Sequence, residues 1–180
     1  MLWWEGVHLY GEIYLRGTIS SMTNDFEHNL IKGRIAEMVF DLMMRESDSF
    51  TVIPFGYENT IHELLHYRRA NEQDEAFRRV RKTPDFVVIS KDTKTIHLVE
   101  VKYRQNPRPT EVMKIAEDMI ELWDPSWLFI ASPKGFYFNS AEYIVENEGI
   151  MKPLDLPTIT PELITKYLEL LNDFERDTAV

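Results

Sequence analysis

Hydrophobic and polar residues recur along the chain with two periods, and the change between them separates predicted helices from predicted strands. Between Asn24 and Arg45, apolar residues recur at helical spacing and leave one narrow polar stripe, which predicts a helix that is covered on several sides. Two later segments with the same spacing predict helices over Thr110–Trp123 and Glu162–Phe174. Short apolar or β-branched runs predict strands at Phe50–Phe55, Pro84–Ser90, Thr95–Tyr103, Trp127–Ala131 and Phe136–Phe138.

The two strands in the middle of the chain are predicted to form a hairpin, because only the short polar segment 91–94 separates them. If the chain reverses at the midpoint of that segment, the residues that face each other have numbers with a constant sum. Ile89 then faces Ile96, and Val87 faces Leu98. The same register, continued beyond these pairs, brings charged residues together at the open end of the hairpin.

Three charged residues meet at that open end. Asp85 faces Glu100 in the predicted register, and Lys102 lies on the same face as Glu100 because strand side chains alternate. Two directly opposed carboxylates destabilise a sheet by roughly 0.2 to 1 kcal/mol, and a divalent cation with oxygen ligands would offset that repulsion. The alternative is that Lys102 simply bridges two surface carboxylates at a frayed end of the sheet.

These residues carry a resemblance to a known family. Pro84-Asp85, followed on the next strand by Glu100-Val101-Lys102, resembles the PD-(D/E)XK nuclease superfamily, which includes many restriction endonucleases and Holliday-junction resolvases. The predicted order of helix, three strands, helix and strand between Asn24 and Ala131 is similar to the common core of that superfamily. The resemblance implies an α/β fold with a three-layer, restriction-endonuclease-like core, in which a central mixed β-sheet of four to five strands is flanked by helices.

The resemblance also implies roles for individual residues. Asp85 and Glu100 would bind Mg²⁺, for which Mn²⁺ can substitute, together with the carbonyl of Val101. Lys102 would act on the attacking water, either as a base with a lowered pKa or by positioning the water only. Glu37 lies on a segment similar to the first core helix of the superfamily, which commonly offers a glutamate near the metal. Alternatively, Glu37 merely borders the polar stripe of its own helix.

The activity implied by the resemblance is that of a metal-dependent nuclease that hydrolyses phosphodiester bonds of DNA, with an endonuclease as the expected form. The DNA would be duplex or branched, and a homodimer is expected because cutting both strands usually takes two sites. The alternative is a nucleic-acid-binding or assembly module of the same fold with little catalysis. The net charge of −10 favours this alternative.

Basic residues are concentrated just before the predicted hairpin. The stretch Arg68–Lys82 holds six basic residues against three acidic ones. Guanidinium and ammonium groups bind phosphate, so the stretch predicts a nucleic-acid contact, and the alternative is a charged loop or fraying helix without a partner. The candidate nucleic-acid-binding residues are Arg78, Arg79, Arg81, Lys82 and Arg104.

A second motif lies ahead of these basic residues. His62-Glu63-Leu64-Leu65-His66 matches the His-Glu-x-x-His pattern, in which two histidines one turn apart bind zinc and the glutamate is the general base. A catalytic zinc needs a third protein ligand, and Arg69 and Glu72 stand where the metzincin pattern requires Gly and His. A zinc metallopeptidase is therefore the least favoured function, and an exposed or interface helix with two incidental histidines is preferred.

The length of 180 residues and the hydrophobic content of 44% predict one folded domain. The domain is expected to span 22–180 with a charged insertion at about 57–83, after an N-terminal extension over 1–21 that forms a β-hairpin or an added edge strand. Cysteine is absent, which excludes disulfides and thiolate chemistry. The sequence shows neither a membrane-spanning apolar run nor a secretory signal, so a soluble, cytoplasmic protein is expected.

Overall fold

The computed structural model describes residues 29–56 and 74–177, and the structural statements below refer to this part of the chain. It contains helices and strands in mixed order. The helices are α1 (residues 29–46), α2 (Glu75–Arg81), α3 (Pro109–Trp123), α4 (Ala141–Glu146) and α5 (Pro161–Asp177). The strands are β1 (Phe50–Pro54), β2 (Phe86–Ser90), β3 (Ile96–Tyr103), β4 (Ser126–Ser132) and β5 (Gly135–Ser140).

The strands form a single five-stranded sheet in the order β1-β2-β3-β4-β5. β3 and β4 run parallel, whereas the other neighbouring strands are antiparallel. The parallel pair requires a long crossover connection, and α3 provides it. The expected α/β fold with a central mixed sheet is thereby confirmed.

The hairpin of β2 and β3 has the predicted register. Val87 faces Leu98 and Ile89 faces Ile96. The reversal also lies in the predicted polar segment, where Lys94 adopts a positive φ of 59° that a tight turn demands. The turn and strand signals in the sequence therefore predict the pairing of this hairpin correctly.

β3 extends well beyond the end of its partner β2. The last residue pair between them joins Phe86 to Val99, whereas β3 continues to Tyr103 alongside β4. Asp85 directly precedes β2, so it stands at the point where the ladder stops. The open end of the hairpin is thus a notch in the sheet.

Both faces of the sheet are covered. β4 shows this most clearly, since Phe129 and Ala131 belong to one core cluster, Leu128 and Ile130 belong to the other, and all four are fully buried. α1 and α5 pack on the first face, and α3 and α4 pack on the second. This arrangement confirms the expected three layers, and the predicted two-sided burial of the apolar run in β4 is correct.

Two helices differ from the sequence expectations. The sequence predicts a loop or a fraying helix for the segment that ends in the basic residues; Glu75–Arg81 is helix α2, so the helical alternative is correct there and the loop alternative is wrong. Its first turn is capped by Asp74, whose side chain accepts a hydrogen bond from the backbone N–H of Phe77 at 3.0 Å. α4 was not predicted; Ser140 caps it by accepting from the backbone N–H of Tyr143 at 3.1 Å.

Some predictions fall outside the described residues. These are the N-terminal extension over 1–21, the start of the first predicted helix at Asn24 and the His62–His66 motif. In the ranges 29–56 and 74–177, no helix is both long enough and apolar enough to cross a membrane.

Candidate active site

The four predicted catalytic residues line one cleft of about 250 Å³, which we call the central cleft. Asp85 enters it from the start of β2, Glu100 and Lys102 enter it from β3, and Glu37 enters it from α1. The notch beyond the last β2–β3 pair is what admits the α1 side chain to the same space. The structure therefore brings together residues that are up to 65 positions apart in sequence.

Asp85 is held rigidly at the notch. Its carboxylate accepts a hydrogen bond from the backbone N–H of Val101 at 2.8 Å, where the next strand bond would otherwise form. Its backbone carbonyl accepts from the N–H groups of Phe55 and Gly56 at 2.9 and 3.1 Å. Burial raises the pKa of Asp85, although nearby Lys102 and the Val101 N–H act in the opposite direction. The carboxylate is thus fixed in place but poorly solvated.

Glu100 forms an ion pair with Lys102 inside the central cleft. Its side chain is 17% exposed. Burial, helped by the carboxylates of Asp85 and Glu37, raises the pKa of Glu100 to about 7 even though Lys102 lowers it. Near neutral pH this carboxyl group is only partly ionised, because burial disfavours its negative charge.

The side chain of Lys102 stays protonated in this arrangement. Burial by itself would lower its pKa, but the Glu100 and Asp85 carboxylates outweigh burial and raise the pKa above its ordinary value. Of the two roles left open from the sequence, positioning by a charged ammonium group therefore agrees better with the geometry than proton abstraction does.

Glu37 satisfies both interpretations that the sequence left open. It accepts a hydrogen bond from Arg34 at 2.8 Å, as expected for a residue at the border of the polar stripe, and it also lines the central cleft. Burial and the Asp85 carboxylate raise its pKa, whereas Arg34 and Lys102 lower it. The i,i+3 spacing of Arg34 and Glu37 was a usable sequence signal for their pairing. It gave no indication that Arg34 lines the cleft as well.

The donor chemistry of the central cleft fits a hard cation. Within the two described ranges, no three His, Asp or Glu side chains are grouped closely enough to hold a metal ion as they stand. Asp85 and Glu100 nevertheless interact electrostatically, and burial raises the pKa of both carboxyl groups. Mg²⁺ is usually bound through one or two carboxylates while it keeps several waters, so such a pair suits it.

Most of the predicted nucleic-acid-binding residues are already engaged by acids. Among the residues that the structure describes, Arg81 is the exception, since no ion pair or side-chain hydrogen bond is formed to it. Arg81 lines the central cleft at the end of α2. The ion pairs of the other four residues are Arg78–Glu121 at 2.6 Å, Arg79–Glu75 at 3.3 Å, Lys82–Asp118 at 2.9 Å and Arg104–Glu111 at 2.5 Å.

Comparison with known proteins adds no family assignment. A scan against protein-family models finds none that matches the chain, and a search of the curated proteins finds no match. The resemblance to the PD-(D/E)XK superfamily therefore stays a prediction. The arguments below rest on the fold, the central cleft and the chemistry of its residues.

Proposed function

We propose that this protein is a Mg²⁺-dependent nuclease that hydrolyses phosphodiester bonds of DNA in the central cleft. The observation that carries this proposal is that Asp85, Glu100 and Lys102 converge at the notch, where β3 extends beyond the end of β2. Two poorly solvated carboxylates beside one ammonium group are the elements needed to bind a divalent cation and to orient a phosphate ester.

In this proposal Asp85 and Glu100 would hold the ion, and Glu37 and the carbonyl of Val101 would complete the protein ligands. Asp85 is well suited because its hydrogen bond from the Val101 N–H fixes one carboxylate oxygen, so the other oxygen could serve as a ligand. When bound, Mg²⁺ supplies positive charge that stabilises the developing negative charge on the phosphate and lowers the pKa of a bound water. Mn²⁺, which also prefers oxygen ligands, would substitute.

Lys102 has the positioning role in this proposal. Its ammonium group stays charged beside the acids, so it donates hydrogen bonds rather than accepting a proton. Its donors orient the attacking water or a phosphate oxygen. Holding a reactant in the productive geometry removes much of the entropic part of the barrier, and this is the contribution we assign to Lys102.

The test is a cleavage assay on circular plasmid DNA with Mg²⁺ or Mn²⁺. We expect cutting that EDTA abolishes and that Lys102→Ala reduces by two or more orders of magnitude. The matched control is Lys114→Ala, which removes an exposed lysine of α3 that does not line the central cleft, and it should retain full activity. The proposal is wrong if the plasmid stays intact with both metals, or if the two variants cut equally well.

A catalytically weak nucleic-acid-binding module is the second candidate. The specific observation in its favour is the Glu100–Lys102 ion pair, which already neutralises one of the two proposed metal ligands from within the protein. Such a module would bind DNA with an affinity that does not respond to Asp85→Asn. The nuclease would instead lose its metal response in that variant.

A further inference from the structure

The central cleft is the middle one of three adjoining cavities. On the α3 side, a cavity of about 190 Å³ shares Arg81, Glu100 and Lys102 with it. On the α1 side, a cavity of about 510 Å³ shares Gly33, Glu37 and Lys102 with it and extends to Gln105. Lys102 lines all three, so the open space continues on both sides of the proposed reaction centre.

Gly33 is an unexpected residue in this setting. It lies inside α1, where glycine is one of the least favourable residues for a helix. A Cβ atom at this position would meet no other atom within 4 Å, so packing against the rest of the described chain does not require a glycine. Gly33 lines both the central cleft and the α1-side cavity. A close approach of a ligand to the helix backbone explains a glycine where packing does not.

Arg81 occupies the corresponding position on the other side. It lies four residues after the buried Phe77, hence on the same side of α2, and it lines the central cleft and the α3-side cavity. The ion pairs of Arg78 and Lys82 with α3 hold the helix in that orientation. Because Arg81 makes no ion pair with the described part of the chain, its guanidinium group is available for a phosphate.

We propose that the three cavities hold one polynucleotide strand, which passes over Gly33 on one side of Lys102 and contacts Arg81 through a backbone phosphate on the other. The proposal rests on the proposed nuclease function and adds the substrate class, a strand that continues in both directions from the reacting phosphate. Mononucleotide esters would fill only the central cleft. Internal bonds are therefore the ones that are cut.

The first test uses Gly33→Leu, which fills open space with a good helix former. We expect a melting temperature that is unchanged or higher. On a 20-nucleotide single strand, kcat/KM should fall at least tenfold. Equal kcat/KM on the 20-nucleotide strand for the variant and the wild type would overturn the proposal.

The second test measures binding without cleavage, by fluorescence anisotropy of the same labelled strand with Ca²⁺ in place of Mg²⁺. Arg81→Ala should raise Kd about tenfold and reduce the dependence of log Kd on log salt by about one phosphate contact. Arg79→Ala, which removes an exposed arginine of the same helix that is paired with Glu75, should change neither quantity. Identical losses in the two variants would overturn the proposal.

These tests separate the strand proposal from the nuclease proposal. If the wild type cuts no diester but binds the strand with the expected dependence on Arg81 and Gly33, the nuclease proposal fails and the strand proposal stands. If the wild type cuts DNA with Mg²⁺ and both variants match it, the nuclease proposal stands and the strand proposal fails.

Discussion

Lys102 shows how a single residue in the central cleft takes its properties from its neighbours. Burial disfavours its charge, yet Glu100 and Asp85 keep it protonated. We expect Lys102→Met, which keeps an unbranched side chain one atom shorter and removes the charge, to lower kcat by about 10² to 10⁴ without changing the far-UV circular dichroism spectrum. A variant with kcat within twofold of the wild type would show that this ammonium group has no part in the reaction.

Metal binding at Asp85 can be measured without catalysis, from the melting temperature of the protein. A ligand that binds only the folded state stabilises it, by about 2.7 kcal/mol when its concentration is 100 times Kd. We expect Mg²⁺ to raise the melting temperature of the wild type and to have no effect on Asp85→Asn, which keeps an oxygen for the Val101 N–H but loses the charge. Equal shifts in both proteins would place the metal elsewhere.

The raised pKa of Glu100 predicts how the free energy of unfolding of the metal-free protein depends on pH. Its folded pKa, about 7, lies above the ordinary value of 4.5, so between these values the folded state binds more protons than the unfolded state. The contribution of Glu100 to the free energy of unfolding is therefore greatest below pH 4.5 and is lost as the pH rises through about 7.

Urea denaturation in EDTA at several pH values measures this dependence. Between pH 5 and 8, the wild type should lose stability relative to Glu100→Gln, because the glutamine carries no charge to desolvate. The Mg²⁺-induced stabilisation should change in the opposite direction and grow with pH, since protons compete with the metal for the carboxylate. A constant stability difference between the two proteins would contradict the assigned pKa.

At the scale of the elements, α2 is the helix that brings Arg81 to the cleft, and its attachment is divided between one apolar and several ionic contacts. Phe77 is its buried residue, whereas Arg78 and Lys82 form partly exposed ion pairs with α3. We expect Phe77→Ala to cost about 3 kcal/mol of unfolding free energy and Arg78→Ala to cost under about 1 kcal/mol. Urea denaturation of the two variants measures both values, and the reverse ranking would contradict this account.

The elements also show what sequence patterns can and cannot predict. The β2–β3 register followed from a short polar reversal between β-branched runs, because both signals are local. α2 was partly missed because a charged segment with Phe77 as its buried residue has almost no apolar periodicity. α4, with six residues, is too short for a periodic signal and depends on the cap by Ser140.

At the scale of the whole molecule, the three layers could be predicted, because the continuous apolar run of β4 requires cover on both faces. The association of Asp85, Glu100 and Lys102 could be predicted too, since one hairpin carries all three. The resemblance indicated Glu37, but the pattern of hydrophobic and polar residues alone could not place Glu37 or Arg81 at the cleft, because their positions depend on how α1 and α2 pack against the sheet. Local patterns do not encode such packing.

The charge distribution of the whole molecule limits its electrostatic attraction for a polyanion such as DNA. The net charge is −10, and four of the five candidate basic residues are neutralised by acids within the described ranges. Attraction of a phosphate backbone must then come mainly from the centre of the cleft and from Arg81. In the proposed nuclease, affinity for DNA should therefore depend on the bound divalent ion.

The most direct measurement is anomalous X-ray diffraction from crystals of the protein soaked in Mn²⁺. The account predicts an anomalous peak in the central cleft within about 2.5 Å of carboxylate oxygens of both Asp85 and Glu100, and no such peak in Asp85→Asn. A peak at another location, or a central cleft without manganese in the wild type at millimolar Mn²⁺, would contradict the central claim.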